Sequence, residues 1–207
     1  CLLTPEMMKD AIKLEAYYLH SAIIKNNGAK GFEIIPLPAM AQTSIINGMI
    51  ADDFNDDGFM DIFINANDYG ADPNVGRYDA MNGLVLQGNG DCTFSPLSML
   101  QSGVTIAGNG KALAKLLGAN KNYLVAASQN RGPLLLFKAR QPILKNIRWK
   151  DDDAYAVLEL GNGKKVKCEA YFGDSFLSQS GRFFSIGSKV KACTVFNSKG
   201  EARSIAL

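Results

Sequence analysis

The chain has 207 residues, 47% of them hydrophobic and 20% charged, with a formal net charge of +2. That is the composition of an ordinary globular protein long enough to bury a core, and so small a charge gives no case for a nucleic-acid partner. No apolar run is long enough to span a membrane and no secretory leader is visible; the charge divides into −2 over residues 1–140 and +4 over residues 141–207.

Cys1 is either the lipidated first residue of a mature bacterial lipoprotein or simply the start of the chain, and Leu2-Leu3 is not the polar tether that lipidation favours. Thr4-Pro5-Glu6 predicts a helix start, with a capping hydroxyl, proline at the first helical position and an acid near the positive end of the dipole. The helix is expected to run to about Tyr17, with Met7, Met8, Leu14 and Tyr17 on a covering apolar face. His20, the sole histidine, reads as a packing or surface residue. Residues 21–25 and 32–37 then predict a hairpin across Asn26-Asn27-Gly28.

The most specific stretch follows. Asp53-Phe54-Asn55-Asp56-Asp57-Gly58-Phe59-Met60-Asp61 reads D-x-N-x-D-G-x-x-D between two apolar runs. If the loop coils tightly, the side chains of Asp53, Asn55, Asp57 and Asp61 and the backbone carbonyl of Phe59 converge, while Gly58 supplies the positive φ of the turn. Hard oxygen donors with several negative charges suit Ca2+ better than zinc or copper. An EF-hand is excluded: a loop of about twelve residues would end at Ile64 rather than at an acid, and the flanks read as strands. The plain alternative is an Asx-rich turn without metal.

Strands are expected over 46–51, 61–66, 83–88 and 93–97, with the Asp53–Asp61 loop joining the first two. The long 67–82 connection contains Tyr69, Arg77 and Tyr78, which have the composition of an interaction surface; equally, Arg77 could pair with Asp72 or Asp79 and stiffen the loop. A second, similar group of strands is expected at 103–106, 123–127 and 133–137, with Lys111-Ala112-Leu113-Ala114-Lys115 as its acid-free loop and Gln129–Gly132 as a tight turn. Beyond about residue 140 the register changes. Residues 155–160 and 164–171 predict a hairpin across Gly161-Asn162-Gly163, and strands follow at 189–196 and 201–205. Asp151–Asp153 reads as a solvated turn. Cys92, Cys168 and Cys193 lack the C-x-x-C spacing of a zinc site; Cys168 and Cys193 either pair or remain buried thiols.

Strand, D-x-N-x-D-G-x-x-D, strand over residues 50–64 resembles the FG-GAP/VCBS repeat that forms the blades of integrin-α-type β-propellers. Gly83–Phe94 is similar to that family's blade-closing hairpin, and Tyr171–Arg182 (YFGDSFLSQSGR) resembles the ASPIC/UnbV module found after such repeats in secreted bacterial proteins. The resemblance implies a mainly β chain: about two and a half propeller-type blades with an N-terminal helix over 1–140, then a small C-terminal β module over 141–207. Propellers use roughly four to eight blades, so these are too few to close a ring. Further blades of a longer chain, the helix and C-terminal module as partial caps, or a second copy would have to cover the uncovered faces.

No phosphate-binding glycine loop and no G-x-S-x-G nucleophile motif occurs, and one histidine leaves few ways to assemble a catalytic triad. Ser178 and Gln179, in Leu177-Ser178-Gln179-Ser180, read as turn residues that satisfy backbone groups. The expectation is therefore a non-enzymatic, extracytoplasmic module with a structural calcium ion and a protein or glycan ligand. The alternatives are an accessory or catalytic domain acting on polysaccharide, or a structural piece of a longer repeat protein.

Overall fold

The computed structural model describes residues 4, 6–12, 14–120, 122–139, 145–173 and 175–207. Cys1, Pro5 and the expected 140/141 boundary lie outside them. The described residues are mainly β, in several small antiparallel sheets, and among them no closed barrel or propeller is present. Strands β1 (Ala22–Asn26) and β2 (Phe32–Pro36) form the expected hairpin. Strands β3 (Ile46–Asp52), β4 (Asp61–Ala66), β5 (Leu84–Gly88) and β6 (Phe94–Leu97) form a four-stranded sheet in chain order. A short helix, α1 (Met99–Ser102), follows behind a Ser98–Gln101 capping box. Strands β7 (Gly110–Leu117), β8 (Tyr123–Gln129) and β9 (Leu135–Lys138) make a three-stranded sheet. The remainder holds the pair β10 (Lys145–Arg148) with β13 (Phe183–Ile186), and a sheet ordered β12 (Lys165–Glu169), β11 (Asp153–Leu160), β14 (Val190–Asn197), β15 (Ala202–Ile205).

Strand β4 is buried along its whole length because both of its faces are covered. Phe63 joins Ile50, Val85, Leu113, Tyr123, Val125 and Ala127 in the core between the β3–β6 and β7–β9 sheets. On the opposite face Ile62, Ile64 and Ala66 pack with Leu84, Leu86, Leu37 and Ala41, with Ile23 of the hairpin against them. A third core, containing Leu158, Phe184, Ile186 and Val195, holds the C-terminal sheets together.

The structure corrects four expectations. Over residues 6–10 the chain makes a turn, not a helix: Thr4 Oγ1 accepts from Met7 N and Met8 N bonds Thr4 O, but the pattern does not propagate. The start signal is local, whereas a short helix needs a packed face to overcome its nucleation cost. Met7, Met8, Leu14 and Tyr17 are 68%, 50%, 89% and 88% exposed and cover nothing. Second, Lys111–Lys115 is not a loop but the middle of β7. Its weak strand propensity is overridden by tertiary pairing: Lys115 and Lys111 meet Asp52 and Asp68 at 3.3 and 3.4 Å. Third, 103–106 is not a strand: Gly103 caps α1 in a left-handed conformation, and Val104 and Ile106 plug into the first core without joining a ladder. Fourth, Asp153 is a buried carboxylate that accepts from Lys150 N at 2.8 Å and pairs with Arg203.

Close approach of the first two large sheets depends on glycine. A Cβ at Gly48 would stand 2.5 Å from the Lys111 carbonyl oxygen, and one at Gly110 would stand 2.6 Å from that of Ala66. Asparagines then stitch the sheets together: Asn47 Nδ2 donates to Asn67 O and Gly110 O, Asn65 Nδ2 to Ala112 O and Ser128 O, and Asn67 Nδ2 to Met81 O and Gly108 O. On the other side of β7 the chain near the ASPIC/UnbV-like stretch closes the strand's second edge. Leu113 N and Lys115 N donate to Ser175 Oγ and Ser180 Oγ, and Gly181 N donates to Lys115 O. The expected pair, Ser178 and Gln179, also meet backbone groups: Ser178 Oγ donates to Leu113 O at 3.5 Å, and Gln179 accepts from Gly173 N and donates to Ser180 O.

Candidate functional site

Asp52 pairs with Asp61 across β3 and β4, so residues 53–60 close as a hairpin loop. Gly58 takes φ +85 and Asp56, more unusually for a residue with a side chain, φ +58. The coil is fenced by its own N–H groups. Asp53 accepts from Asp57 N (3.1 Å) and Gly58 N (2.8 Å), Asn55 Oδ1 from Asp57 N (2.9 Å), and Asp57 Oδ1 from Phe59 N (2.8 Å). Asp57 Oδ2 accepts from Asn55 Nδ2 at 2.9 Å. Asp61, 2% exposed, accepts from Phe54 N at 3.1 Å and from Gly88 N at 2.9 Å, tying the loop to β5. Phe59 is half-buried, with the Lys164 ammonium 4.4 Å from its ring centre.

Burial pushes the Asp61 carboxyl up to about 6; the two N–H bonds oppose this, and the charges of Asp57 and Asp53 add to it. Asp53 is raised for the same first reason, with the charge of Asp57 adding. Three carboxylates and an amide, all hard oxygen donors, therefore share one coil in which their negative charges oppose each other; a divalent cation would relieve that opposition, so the donor set suits Ca2+. Among the described residues, however, no three Asp, Glu, His or Cys side chains are gathered into a metal cluster. The oxygens are turned to loop N–H groups instead, and an ion would have to draw them inward.

Two residues of this region escaped the motif reading. Asp56 faces away from the coil and accepts from Ser188 N at 3.0 Å and from Ser188 Oγ, which places the loop against the turn between β13 and β14. Asp52 accepts from Tyr123 Oη at 2.9 Å beside Lys115. Neither contact has a local signal, since the partners lie 132 and 71 residues away. Between the loop and the C-terminal sheet is a mainly apolar cavity lined by Phe54, Met60, Leu158, Leu160, Val166 and Cys168. Burial pushes the Cys168 thiol up to about 12, so it stays protonated and is a poor nucleophile. Cys92, Cys168 and Cys193 are all free, the thiol alternative for the last two. His20 is exposed, edge-on to Tyr18.

The 67–82 connection is ordered by a bridge between Asp68 and Tyr78, whose N–H groups and carbonyls exchange two bonds of 2.9 Å. Arg77 does not stiffen it through Asp72, which instead accepts from Asn74 N at 2.8 Å; the guanidinium carbon stands 4.8 Å from the Tyr69 ring centre. Tyr69 and Arg77 line one wall of an open groove whose other wall is the 129–133 turn between β8 and β9. Tyr78 stays outside it. Comparison of the chain with protein-family models, with curated proteins and with solved structures gave no match.

Proposed function

We propose that the chain is a non-enzymatic, extracytoplasmic calcium-binding repeat module that binds a protein or glycan ligand, with the calcium in a structural role. In this reading the β3–β6 and β7–β9 sheets are neighbouring blades of FG-GAP/VCBS type, and the β1–β2 hairpin is half of another. Residues 141–207 are the ASPIC/UnbV-like module, and extracytoplasmic placement follows from the resemblance alone. The observation that carries the reading is the closed 53–61 coil at the first hairpin of a four-stranded antiparallel meander. When bound, Ca2+ would supply positive charge to Asp53, Asn55, Asp57, Asp61 and the Phe59 carbonyl and pin β3 to β4. Among the described residues no helix is long and apolar enough to cross a membrane.

An ion that binds only the folded chain stabilises it by about 2.7 kcal/mol at a hundredfold excess over its dissociation constant. Melting in calcium should therefore exceed melting in chelator by several degrees, and Asp57→Ala should abolish the difference. A wild-type transition that chelator leaves unmoved would reduce the coil to an Asx-rich turn.

A further inference from the structure

We propose that the groove between the 67–82 connection and the 129–133 turn binds an acidic polysaccharide, through the carboxylates of its uronate units. The proposal rests on the reading of the chain as a ligand-binding module and names the ligand class for one surface of it.

The groove is lined by two arginines, Arg77 and Arg131, and by no acid. Asp68, next to the lining residue Tyr69 in the chain, is already committed to Gly70 N at 3.0 Å and to Lys111 at 3.4 Å. The guanidinium of Arg77 and the backbone of Arg131 are held on fixed supports. Arg77 lies over the Tyr69 ring. Arg131 sits at φ +58 on a turn closed by Gly132 N to Gln129 O and by Gln129 Nε2 to Pro133 O at 3.0 Å. A planar guanidinium matches a carboxylate in a forked pair, and a preset support lowers the ordering cost of making it.

The rest of the lining suits hydroxyl groups. Asn130 stands at the turn, and its N–H bonds the carbonyl of Asn109, joining wall to floor. Asn109 is 5% exposed and its side-chain oxygen is buried out of reach of the groove, so the amide of Asn130, at the exposed turn, is the group of the lining that meets hydroxyls. A peptide bound by apolar anchors or by strand addition would need pockets or an unpaired strand edge, and an acidic peptide that pairs with the arginines is separated from a uronate by the test below. The groove has only small apolar groups beside Tyr69, and its walls are loops and turns.

The test is affinity electrophoresis of the full chain through gels containing polygalacturonate or alginate, with dextran as a neutral control and poly-glutamate as an acidic peptide. At least one uronate polymer should retard the chain, and retardation should weaken with salt. Arg77→Ala and Arg131→Asn, the latter tolerant of the left-handed backbone, should each weaken binding about tenfold while melting is unchanged. Equal retardation of the double variant, retardation by dextran or poly-glutamate as strong as by the uronates, or none by either uronate would overturn the proposal. Should the uronate test fail, a protein or neutral glycan that binds the double variant like wild type would leave the module reading standing without the groove. Failure of the calcium melting test bears on the module reading alone.

Discussion

Asp61 opens β4 with a carboxylate that is almost wholly buried and still holds two N–H groups from separate elements. Folding raises its titration from the ordinary 3.8 to about 6. Between those values the folded chain holds the proton that the unfolded chain has lost. Stability from this group is therefore full below about pH 4 and is lost as pH rises through about 6, a difference on the order of 3 kcal/mol. In chelator, the melting temperature should fall across that window, and Asp61→Asn should flatten the part of the slope that wild type shows. Calcium at the coil would favour the ionised carboxylate and reverse the trend. A wild-type slope identical to that of the variant would show that Asp61 is not the group responsible.

At the scale of elements, the contact between the β3–β6 and β7–β9 sheets is made by backbone approach and amide bonds as much as by apolar packing. Gly110→Ala should force β7 away from β4, costing about 1–3 kcal/mol as overpacking does and lowering the denaturant midpoint. Asn67→Ala removes the donor to Met81 O and Gly108 O and the acceptor of Met81 N, and it should cost at least as much, because buried groups are left unpaired. An unchanged midpoint in either variant would remove that residue from the joint. These same residues mark where the sequence was legible. The strands of the β3–β6 sheet and both hairpins with glycine turns could be read to within a residue or two, because β-branched runs and turn residues act locally. The strand at Lys111–Lys115 could not, because its lysines are matched by acids 63 and 43 residues away. Nor could the asparagine stitches, whose partners are carbonyls that any residue carries. The 53–61 coil was legible as a coil; its bond to Ser188 was not.

Across the whole molecule, the sheets before residue 139 and those after residue 145 share side chains. Phe183 of β13 is buried in the first core, edge-on to Tyr123 with ring centres 5.6 Å apart. The described chain should therefore melt in one calorimetric transition, and Phe183→Ala, at a cost of about 3–5 kcal/mol, should split it in two. A single transition that persists in the variant would place the coupling elsewhere. The bond from Asp56 to Ser188 adds a further tie, and its position has a thermodynamic consequence. The residue that grips the C-terminal sheets is flanked by the donors Asn55 and Asp57, so ordering the coil and seating those sheets are reciprocal events. Whatever steadies the C-terminal sheets should lower the calcium concentration at which the coil fills, and by the same factor filling the coil should steady the sheets. Asp56→Ala would weaken the coupling while leaving every proposed donor in place, making this molecule's response to calcium more local and less shared.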